Sequence, residues 1–291
     1  MKLKHKNTFF SSQKTIKCGG KLLTFEKPLV MGILNITPDS FYDGGKHSDM
    51  NKILSHVGKM LSEEADIIDV GAISTKPGAS EVSFEDERDR LIPVLENIVK
   101  EFPTAIISVD TYRSKIARIA VDKGAHIIND ISAGNFDAEM FNVISDLNVP
   151  YMIMHMQGTP STMQKNPAYT DVFKEVGAYF IEKVTSLRNL GVTDIIIDPG
   201  FGFGKSVDHN YELLNNLEYF SIFGLPLMIG VSRKSMINKV LQTCPDQALN
   251  GTTVLNTIAL MKGANILRVH DVKEAVETVK LVGKFRNELL S

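Results

Sequence analysis

Short, continuously apolar runs alternate with longer segments of helical period along the chain. Unbroken apolar runs are typical of parallel strands that are covered on both faces. Eight such runs are present, Leu29–Leu34, Asp66–Val70, Ala105–Val109, His126–Ile128, Pro150–Met154, Asp194–Ile197, Pro226–Val231 and Asn265–Val269. Between them, apolar residues recur three and four positions apart, which predicts amphipathic helices. The clearest are Glu85–Lys100, Ser114–Lys123, Asp171–Asn189, Ala248–Met261 and Val272–Leu290.

Eight strand–helix units in 291 residues predict an α/β fold, a (β/α)8 TIM barrel, for which about 250 residues is typical. A doubly wound open sheet is the alternative, but the even spacing of the units to the end of the chain favours closure. Ahead of the first unit, Thr15–Leu23 surrounds a Gly19-Gly20 turn and predicts a β-hairpin. We expect residues 1–28 to be an N-terminal hairpin extension that caps the bottom of the barrel, and residues 29–291 to form one barrel domain.

The bulk properties exclude several classes of partner. The formal net charge of −2 gives no overall field for nucleic acid or an anionic membrane, so we expect neither as a partner. No apolar run approaches the roughly 20 residues of a membrane span, and the basic N-terminus lacks the apolar stretch of a secretory signal. Cys18 and Cys244 lie far apart without metal-type spacing, which predicts free thiols in a reducing compartment. We therefore expect a cytoplasmic protein.

Polar residues follow every predicted strand. They are Asn35, Ser74-Thr75-Lys76, Asp110, Asn129-Asp130, His155, Asp198, Ser232-Arg233-Lys234-Ser235, and Arg268 with His270. Any one of them has a structural explanation, such as the capping of the next helix by Asp110 or Asp130. Eight polar strand ends together are not needed for stability, and the C-terminal ends of the strands are where (β/α)8 barrels place their active sites. The pattern predicts a ligand site.

The polar ends divide into two chemical halves. The first half offers hydrogen-bond acceptors and an amide, Asp110, Asn129 and Asp198. These suit a flat heterocycle rich in N–H groups, because one carboxylate can accept two such bonds. The second half is cationic or potentially cationic, Arg233, Lys234, Arg268 and His270. It suits phosphate, which such barrels often bind at strands seven and eight. Asn35 is a candidate ligand for a Mg²⁺ ion that bridges phosphates. The halves together predict group transfer with a phosphate leaving group.

The glycine-rich run Gly200-Phe201-Gly202-Phe203-Gly204-Lys205-Ser206 resembles a nucleotide-binding loop only in part. Pro199 stands where a P-loop needs its first glycine. Lys205 occupies the last position of a G-x-G-x-x-G pattern. Nucleotide binding by either motif is therefore disfavoured.

Taken together, these residues resemble the dihydropteroate synthase family, folate-pathway enzymes that join p-aminobenzoate to a pterin. The resemblance runs in order through Asn35-Ile36-Thr37-Pro38-Asp39-Ser40-Phe41, Ser74–Ala79, Ser108–Tyr112, Ile128–Asp130, Met154–Gly158, Asp198–Lys205, Ser232–Ser235 and Arg268–Asp271. It spans nearly the whole chain. It implies a homodimeric barrel whose substrates are p-aminobenzoate and hydroxymethyl-dihydropterin diphosphate, with Mg²⁺ as cofactor.

The resemblance also implies roles for individual residues. The pterin residues would be Asp110, Asn129, Asp198 and Lys234, with Met154 packed against the ring. The diphosphate residues would be Asn35, Arg268 and His270, with Asn35 as the metal ligand. The p-aminobenzoate residues would be Thr75, Lys76, Phe203 and Ser235. The residues implied in catalysis are Asp39, Asp110, Lys234, Arg268 and His270. We expect cleavage of the C–O bond before the amine attacks.

One departure from the family concerns the second loop, which usually reads Ser-Thr-Arg-Pro-Gly and here carries Lys76. Lysine keeps the cation but loses the bidentate guanidinium fork. Two alternatives remain open at this stage. One is a pterin-binding methyltransferase domain that works with a cobalamin partner, which should lack the basic diphosphate end. The other is a non-catalytic relative that only binds pterin.

Overall fold

The computed structural model describes residues 13–36, 46–73 and 82–287. Its strands are β1 (Thr15–Cys18), β2 (Lys21–Thr24), β3 (Leu29–Asn35), β4 (Ile67–Gly71), β5 (Ile106–Asp110), β6 (Ile127–Asp130), β7 (Tyr151–Met154), β8 (Ile195–Asp198), β9 (Met228–Ile229) and β10 (Ile266–Val269). Its helices are α1 (Lys46–Ser62), α2 (Phe84–Glu101), α3 (Ser114–Asp122), α4 (Met140–Leu147), α5 (Val172–Asn189), α6 (Val207–Asn215), α7 (Ser235–Leu241), α8 (Leu249–Met261) and α9 (Val272–Phe285). Within these ranges no helix is both long enough and apolar enough to cross a membrane.

The strands β3 to β10 form one parallel sheet in the order β8-β7-β6-β5-β4-β3-β10-β9. A parallel bridge between Ile197 and Leu227 brings the two edge strands together. The backbone N–H of Ile197 donates to the carbonyl of Pro226 at 3.0 Å at the same place. The predicted α/β fold with eight strand–helix units is therefore confirmed, as a nearly closed barrel.

Two predicted elements are shorter in the structure. The strand expected over Pro226–Val231 is regular only at Met228–Ile229, where the barrel closes. The last helix ends at Phe285 rather than Leu290. Arg286 follows it and donates its guanidinium to the carbonyls of Leu260 and Met261 at the end of α8, and Asn287 has a left-handed φ of 56°. Residues 288–291 lie outside the described ranges.

The hairpin β1–β2 is confirmed, and it closes the bottom of the barrel. Ile16 and Cys18 are buried against the inward-facing residues of the barrel strands, among them Met31, Ile67 and Met152. Burial raises the pKa of Cys18 to about 12, so its thiol packs there as a neutral apolar group. The predicted domain boundary between residues 28 and 29 stays a prediction.

The barrel interior changes from apolar to charged over one step of strand alternation. Successive side chains of a strand point to opposite faces, so residues two apart share the interior. The bottom layer contains Ile67, Ile127, Met152, Ile196 and Ile266. Two residues further along the same strands stand Asp69, Asn129, Met154, Asp198 and Arg268. Sequence alternation therefore places a polar layer directly above an apolar one, facing the mouth of the barrel.

Candidate active site

Arg268 joins three strands at the base of the mouth. Its Nε donates to Oδ2 of Asp69 at 2.7 Å, and its Nη2 donates to Oδ2 of Asp110 at 2.9 Å. Asn129 donates its Nδ2 to the same Asp69 oxygen at 3.1 Å. The side chain of Asp69 is fully buried, while that of Arg268 is 21% exposed. One carboxylate therefore orients both a predicted diphosphate residue and a predicted pterin residue.

These groups change one another's acidity. Burial raises the pKa of Asp110 to about 7, with Asp69 adding to the rise and Arg268 opposing it. Burial lowers the pKa of Arg268, but Asp69 and Asp110 outweigh it, so the net pKa is raised. Arg268 is thus a permanent cation, while Asp110 can change its protonation state near neutral pH.

Asp198 and Lys234 form the opposite side of the mouth. Asp198 accepts a hydrogen bond from the backbone N–H of Gly200 at 2.8 Å, and burial raises its pKa against the charge of Lys234. Lys234 donates to the carbonyl of Phe201, and its Nζ lies 4.6 Å from the centroid of the Phe203 ring. Burial lowers the pKa of Lys234 to about 8, with Asp198 opposing the shift. The second carboxylate therefore also faces a cation.

An apolar wall lies beside these charges. It consists of Ile131, Met154, Met156 and Met163, with Tyr112 and Phe203 packed against it. Met154 was predicted from the sequence, whereas Ile131 and Met156 were not. A flat ring set against such a wall loses apolar surface to it while its edge meets the acceptors.

The predicted cationic half separates into two groups. His270 accepts or donates through Nδ1 to the hydroxyl of Ser232 at 3.0 Å. His270 keeps an exposed surface, but the protein packed around its ring, and then Arg268 and Arg233, lower its pKa to about 4. Arg233 instead forms a bidentate pair with Asp271, at 3.0 Å from Nε and 2.6 Å from Nη2. Of the four predicted cationic groups, Arg268 and Lys234 therefore face the mouth as cations, and His270 stands beside them as a neutral imidazole.

Two further predicted residues stand at the rim. Asn35 is the exposed last residue of the otherwise buried β3, and Ser235 is exposed at the start of α7. Among the described residues no group of three or more His, Cys, Asp or Glu side chains could enclose a metal ion. A single amide oxygen fits Mg²⁺ only where phosphate oxygens and water supply the other ligands, which is the usual way that Mg²⁺ binds beside phosphates.

The sequence prediction and the structure overlap only in part. Asp110, Asn129, Met154, Asp198, Phe203, Lys234, Arg268 and His270 surround the mouth, with Asn35 and Ser235 at its rim. Asp39, Thr75 and Lys76 lie outside the described residues. Asp69 was missed, although its inward phase, two residues beyond Ile67, is the same as that of Asn129 and Asp198.

Comparison with known proteins gives the class. Residues 31–270 match the family model of the pterin binding enzymes. The chain is 47% identical over 265 residues to the dihydropteroate synthase of Escherichia coli K12, covering 90% of this chain and 93% of that protein. It is 42% identical to the enzyme of Bacillus subtilis, with 90% of each covered.

Solved structures agree with the sequence relatives. A Yersinia pestis dihydropteroate synthase in a sulfonamide drug complex superimposes with a TM-score of 0.88 at 41% identity, covering 94% of this chain and 99% of that one. The Xanthomonas albilineans enzyme with 4-aminobenzoic acid gives 0.87 at 37% identity, with the same coverage.

The barrel, its charged mouth and the family match define a pterin-binding enzyme of the (β/α)8 class. Within that class the chain belongs to the dihydropteroate synthase family of folate biosynthesis.

Proposed function

We propose that the mouth of this barrel condenses p-aminobenzoate with the dihydropterin methyl diphosphate. The observation that carries the proposal is the meeting of the acidic and basic halves at Arg268, between Asp69 and Asp110. The C–O bond to the diphosphate breaks with its electron pair on oxygen. The amine nitrogen then forms the new C–N bond and loses its proton, giving dihydropteroate and free diphosphate.

The pterin ring is assigned to the acceptor half. Asp110, Asn129 and Asp198 hold its N–H groups, and Lys234 donates to its ring oxygen or nitrogen, with Met154 beneath the ring. Asn129 and Asp198 are nearly completely buried, so hydrogen bonds from the pterin ring to them do not have to displace hydrogen bonds from bulk water. As the C–O bond breaks, the carboxylates of Asp110 and Asp198 stabilise positive charge spread over the pterin.

The diphosphate is assigned to Asn35, Arg268 and His270. The neutral imidazole of His270 is held by Ser232 and donates a hydrogen bond to a departing oxygen. Arg268 supplies the fixed charge. A Mg²⁺ ion at Asn35, when bound, neutralises charge on the leaving group.

The p-aminobenzoate is assigned to Phe203 and Ser235, together with Thr75 and Lys76. Binding of 4-aminobenzoic acid to the Xanthomonas albilineans relative supports this substrate. Phe203 offers a ring face beside Lys234. We assign Asp39 and Lys76, which follow the first two barrel strands in the sequence, to covering the second substrate. An aniline is neutral at pH 7, so its attack needs no strong base.

Release of diphosphate tests the proposal. The purified protein should release diphosphate from the pterin substrate only when p-aminobenzoate is also present, and more of it with Mg²⁺. A methyltransferase would release none. A protein that only binds would show thermal stabilisation by a pterin without turnover, and either result would overturn the assignment.

We also propose a homodimer that uses the outer face of α8 and α9. Exposed apolar residues repeat there at helical spacing, Val254, Ile258 and Met261 on α8 and Leu281 and Phe285 on α9. A monomer rarely exposes a large contiguous apolar patch, so we infer that a second copy of the chain covers these residues. Light scattering should give twice the chain mass for the natural protein and the single mass for Ile258→Asp. A monomeric natural protein would contradict this.

The free thiols of Cys18 and Cys244 support a cytoplasmic location.

A further inference from the structure

The loop between β8 and α6 is held by side chains rather than by a backbone ladder. It runs from Pro199 to Ser206, and Gly200, Gly202 and Gly204 all have left-handed φ angles. Each of its five carbonyls from 200 to 204 accepts a side-chain hydrogen bond. The donors are Lys205 to Gly200 and Phe203, Lys234 to Phe201, Gln164 to Gly202, and Tyr169 to Gly204. The shape of the loop therefore depends on these donors.

Lys205 is the donor with the most partners. Its Nζ lies 2.9 Å from the carbonyl oxygen of Gly200, 3.0 Å from that of Phe203 and 3.2 Å from that of His155. The fourth partner is Nδ1 of His155, at 2.9 Å. The residue is 3% exposed, and none of the four partners is a carboxylate. An ammonium group without such partners would be very costly to bury, so these four acceptors stabilise the charged form of the Lys205 side chain.

The pairing with His155 fixes a protonation state. Burial, and then the charge of Lys205, lower the pKa of His155 to about 3, so its imidazole is neutral at pH 7. A neutral ring can accept through Nδ1 while its proton is on Nε2. Burial also lowers the pKa of Lys205 to about 7, with Asp198 opposing the shift. As an ammonium group, Lys205 offers three hydrogens to four acceptors in the segments that follow the neighbouring strands β7 and β8.

The loop that Lys205 holds is the one that receives Lys234. The carbonyl of Phe201 lies between the two carbonyls held by Lys205, and it accepts the hydrogen bond from Lys234. The ring of Phe203 lies 4.6 Å from the same Nζ. A shift of the loop would therefore move both the Phe203 ring and the acceptor that fixes Lys234.

We infer that Lys205 is a positioning residue, whose buried side chain fixes the β8–α6 loop so that Phe203 faces the second substrate and Lys234 stays in place for the pterin. The inference rests on the proposed function. Stability alone does not explain a lysine here, because the cost of removing a charged group from water offsets much of what its hydrogen bonds contribute. A lysine gives one specific loop geometry instead.

The test is steady-state kinetics of Lys205→Met, which keeps the length of the side chain and removes its charge. We expect the KM for p-aminobenzoate to rise about tenfold, and the KM for the pterin diphosphate to change less. Lys174→Met is the matched control, since Lys174 is exposed on α5 and should leave both constants unchanged. A purely structural lysine would lower only the fraction of active protein, which reduces the apparent kcat and leaves KM alone. An unchanged KM would overturn the inference.

A second variant and a double mutant keep the test decisive. If Lys205→Met does not fold, His155→Leu takes its place as the test. It removes only one acceptor of Lys205, so it should raise the KM for p-aminobenzoate by a smaller factor. An unchanged KM in a folded His155→Leu protein would then count against the inference. In a Phe203→Ala background, Lys205→Met should add at most about twofold, because coupled residues are not additive. Full additivity would contradict it. Failure of the proposed function is separate, since the natural protein would then release no diphosphate.

Discussion

Replacement of Asp69 by asparagine is the sharpest test of how the mouth is organised. The two side chains have the same shape, so the variant removes charge and leaves the packing of the barrel intact. Arg268 loses its closest charged partner, at 2.6 Å from Nη2, and keeps Asp110 at 2.9 Å. Asn129 loses a charged acceptor at the same oxygen. We expect both side chains to lose their fixed orientation.

The magnitude follows from burial. A hydrogen bond to a charged group contributes about 1.5 to 3 kcal/mol, and asparagine still offers a neutral acceptor. The free energy of unfolding should therefore fall by about 2 kcal/mol. Misplacement of a substrate-positioning arginine by about 1 Å can cost up to about 100-fold in rate. We expect kcat/KM for the pterin diphosphate to fall between about 10- and 100-fold.

The pH profile gives a second, independent reading. The charge of Asp69 raises the pKa of Asp110, so its removal must lower that pKa from about 7. If the acid limb of kcat/KM reports ionised Asp110, the limb should move to lower pH in Asp69→Asn. Asp122→Asn, at the exposed C-terminal end of α3, is the matched control and should leave both the limb and the rate unchanged.

Two results would refute this reasoning. A variant with natural kcat/KM would mean that Asp69 does not orient Arg268 for the reaction. An acid limb that moves to higher pH would mean that the raised pKa of Asp110 does not depend on the negative charge of Asp69. Diphosphate release measured from pH 5 to pH 9 distinguishes the two.

Three other substitutions, two of them with a matched control, test separate parts of the structure. Folding raises the pKa of Asp110, so its contribution to stability is present below about pH 4 and is lost as the pH rises through about 7. Asp110→Asn should therefore melt above the natural protein at pH 8 and near it at pH 4, while losing about 100-fold in activity; a lower melting temperature at pH 8 would contradict this. Arg113→Ala leaves the buried Glu87 with Thr111 as its one side-chain partner among the described residues, and should lower the free energy of urea unfolding by about 3 kcal/mol. Arg118→Ala, from an exposed pair with Asp146, should cost little; equal losses would refute the argument. A Cβ at Gly200 would lie 1.9 Å from the carbonyl oxygen of His155. Gly200→Ala should therefore lower the free energy of urea unfolding by more than about 3 kcal/mol. At Gly191, where nothing lies within 4 Å, alanine should cost about 1 kcal/mol.

The strands and the residues at their ends could be predicted because both follow local rules. Continuous apolar runs gave the barrel strands, and Asp110 and Asp198 were found because each ends such a run. Asp69 stands inside a run, between Ile68 and Val70, where a strand covered on both faces gives no warning of a charge. Its role depends on Arg268, which lies 199 positions further along the chain. No local pattern contains that pairing.

The glycine-rich loop likewise could not be interpreted from its sequence alone. Its spacing partly resembles a nucleotide-binding motif but does not satisfy one. Its glycines instead allow close approach to the segment that follows β7, since a Cβ at Gly204 would lie 2.4 Å from the carbonyl oxygen of Gln157. The structural role of Lys205 likewise depends on its contact with His155, which lies 50 positions earlier in the chain. Such contacts are fixed by the register of the barrel and not by spacing along the chain.

The charged groups of the mouth pair with one another or with the backbone, although Oδ1 of the buried Asp69 has no hydrogen-bond partner among the described residues. Arg268 binds Asp69 and Asp110, and Lys234 binds the carbonyl of Phe201. A pterin diphosphate brings N–H groups for the carboxylates and an anion for the cations, so its binding exchanges internal bonds for bonds of the same kind. Because Asp69 is fully buried within the polar layer, we expect it to hold Arg268 in place while Asp110 binds the ligand. We therefore expect Asp69 to act through Arg268, so that the two opposite ends of the ligand can bind side by side in one narrow barrel.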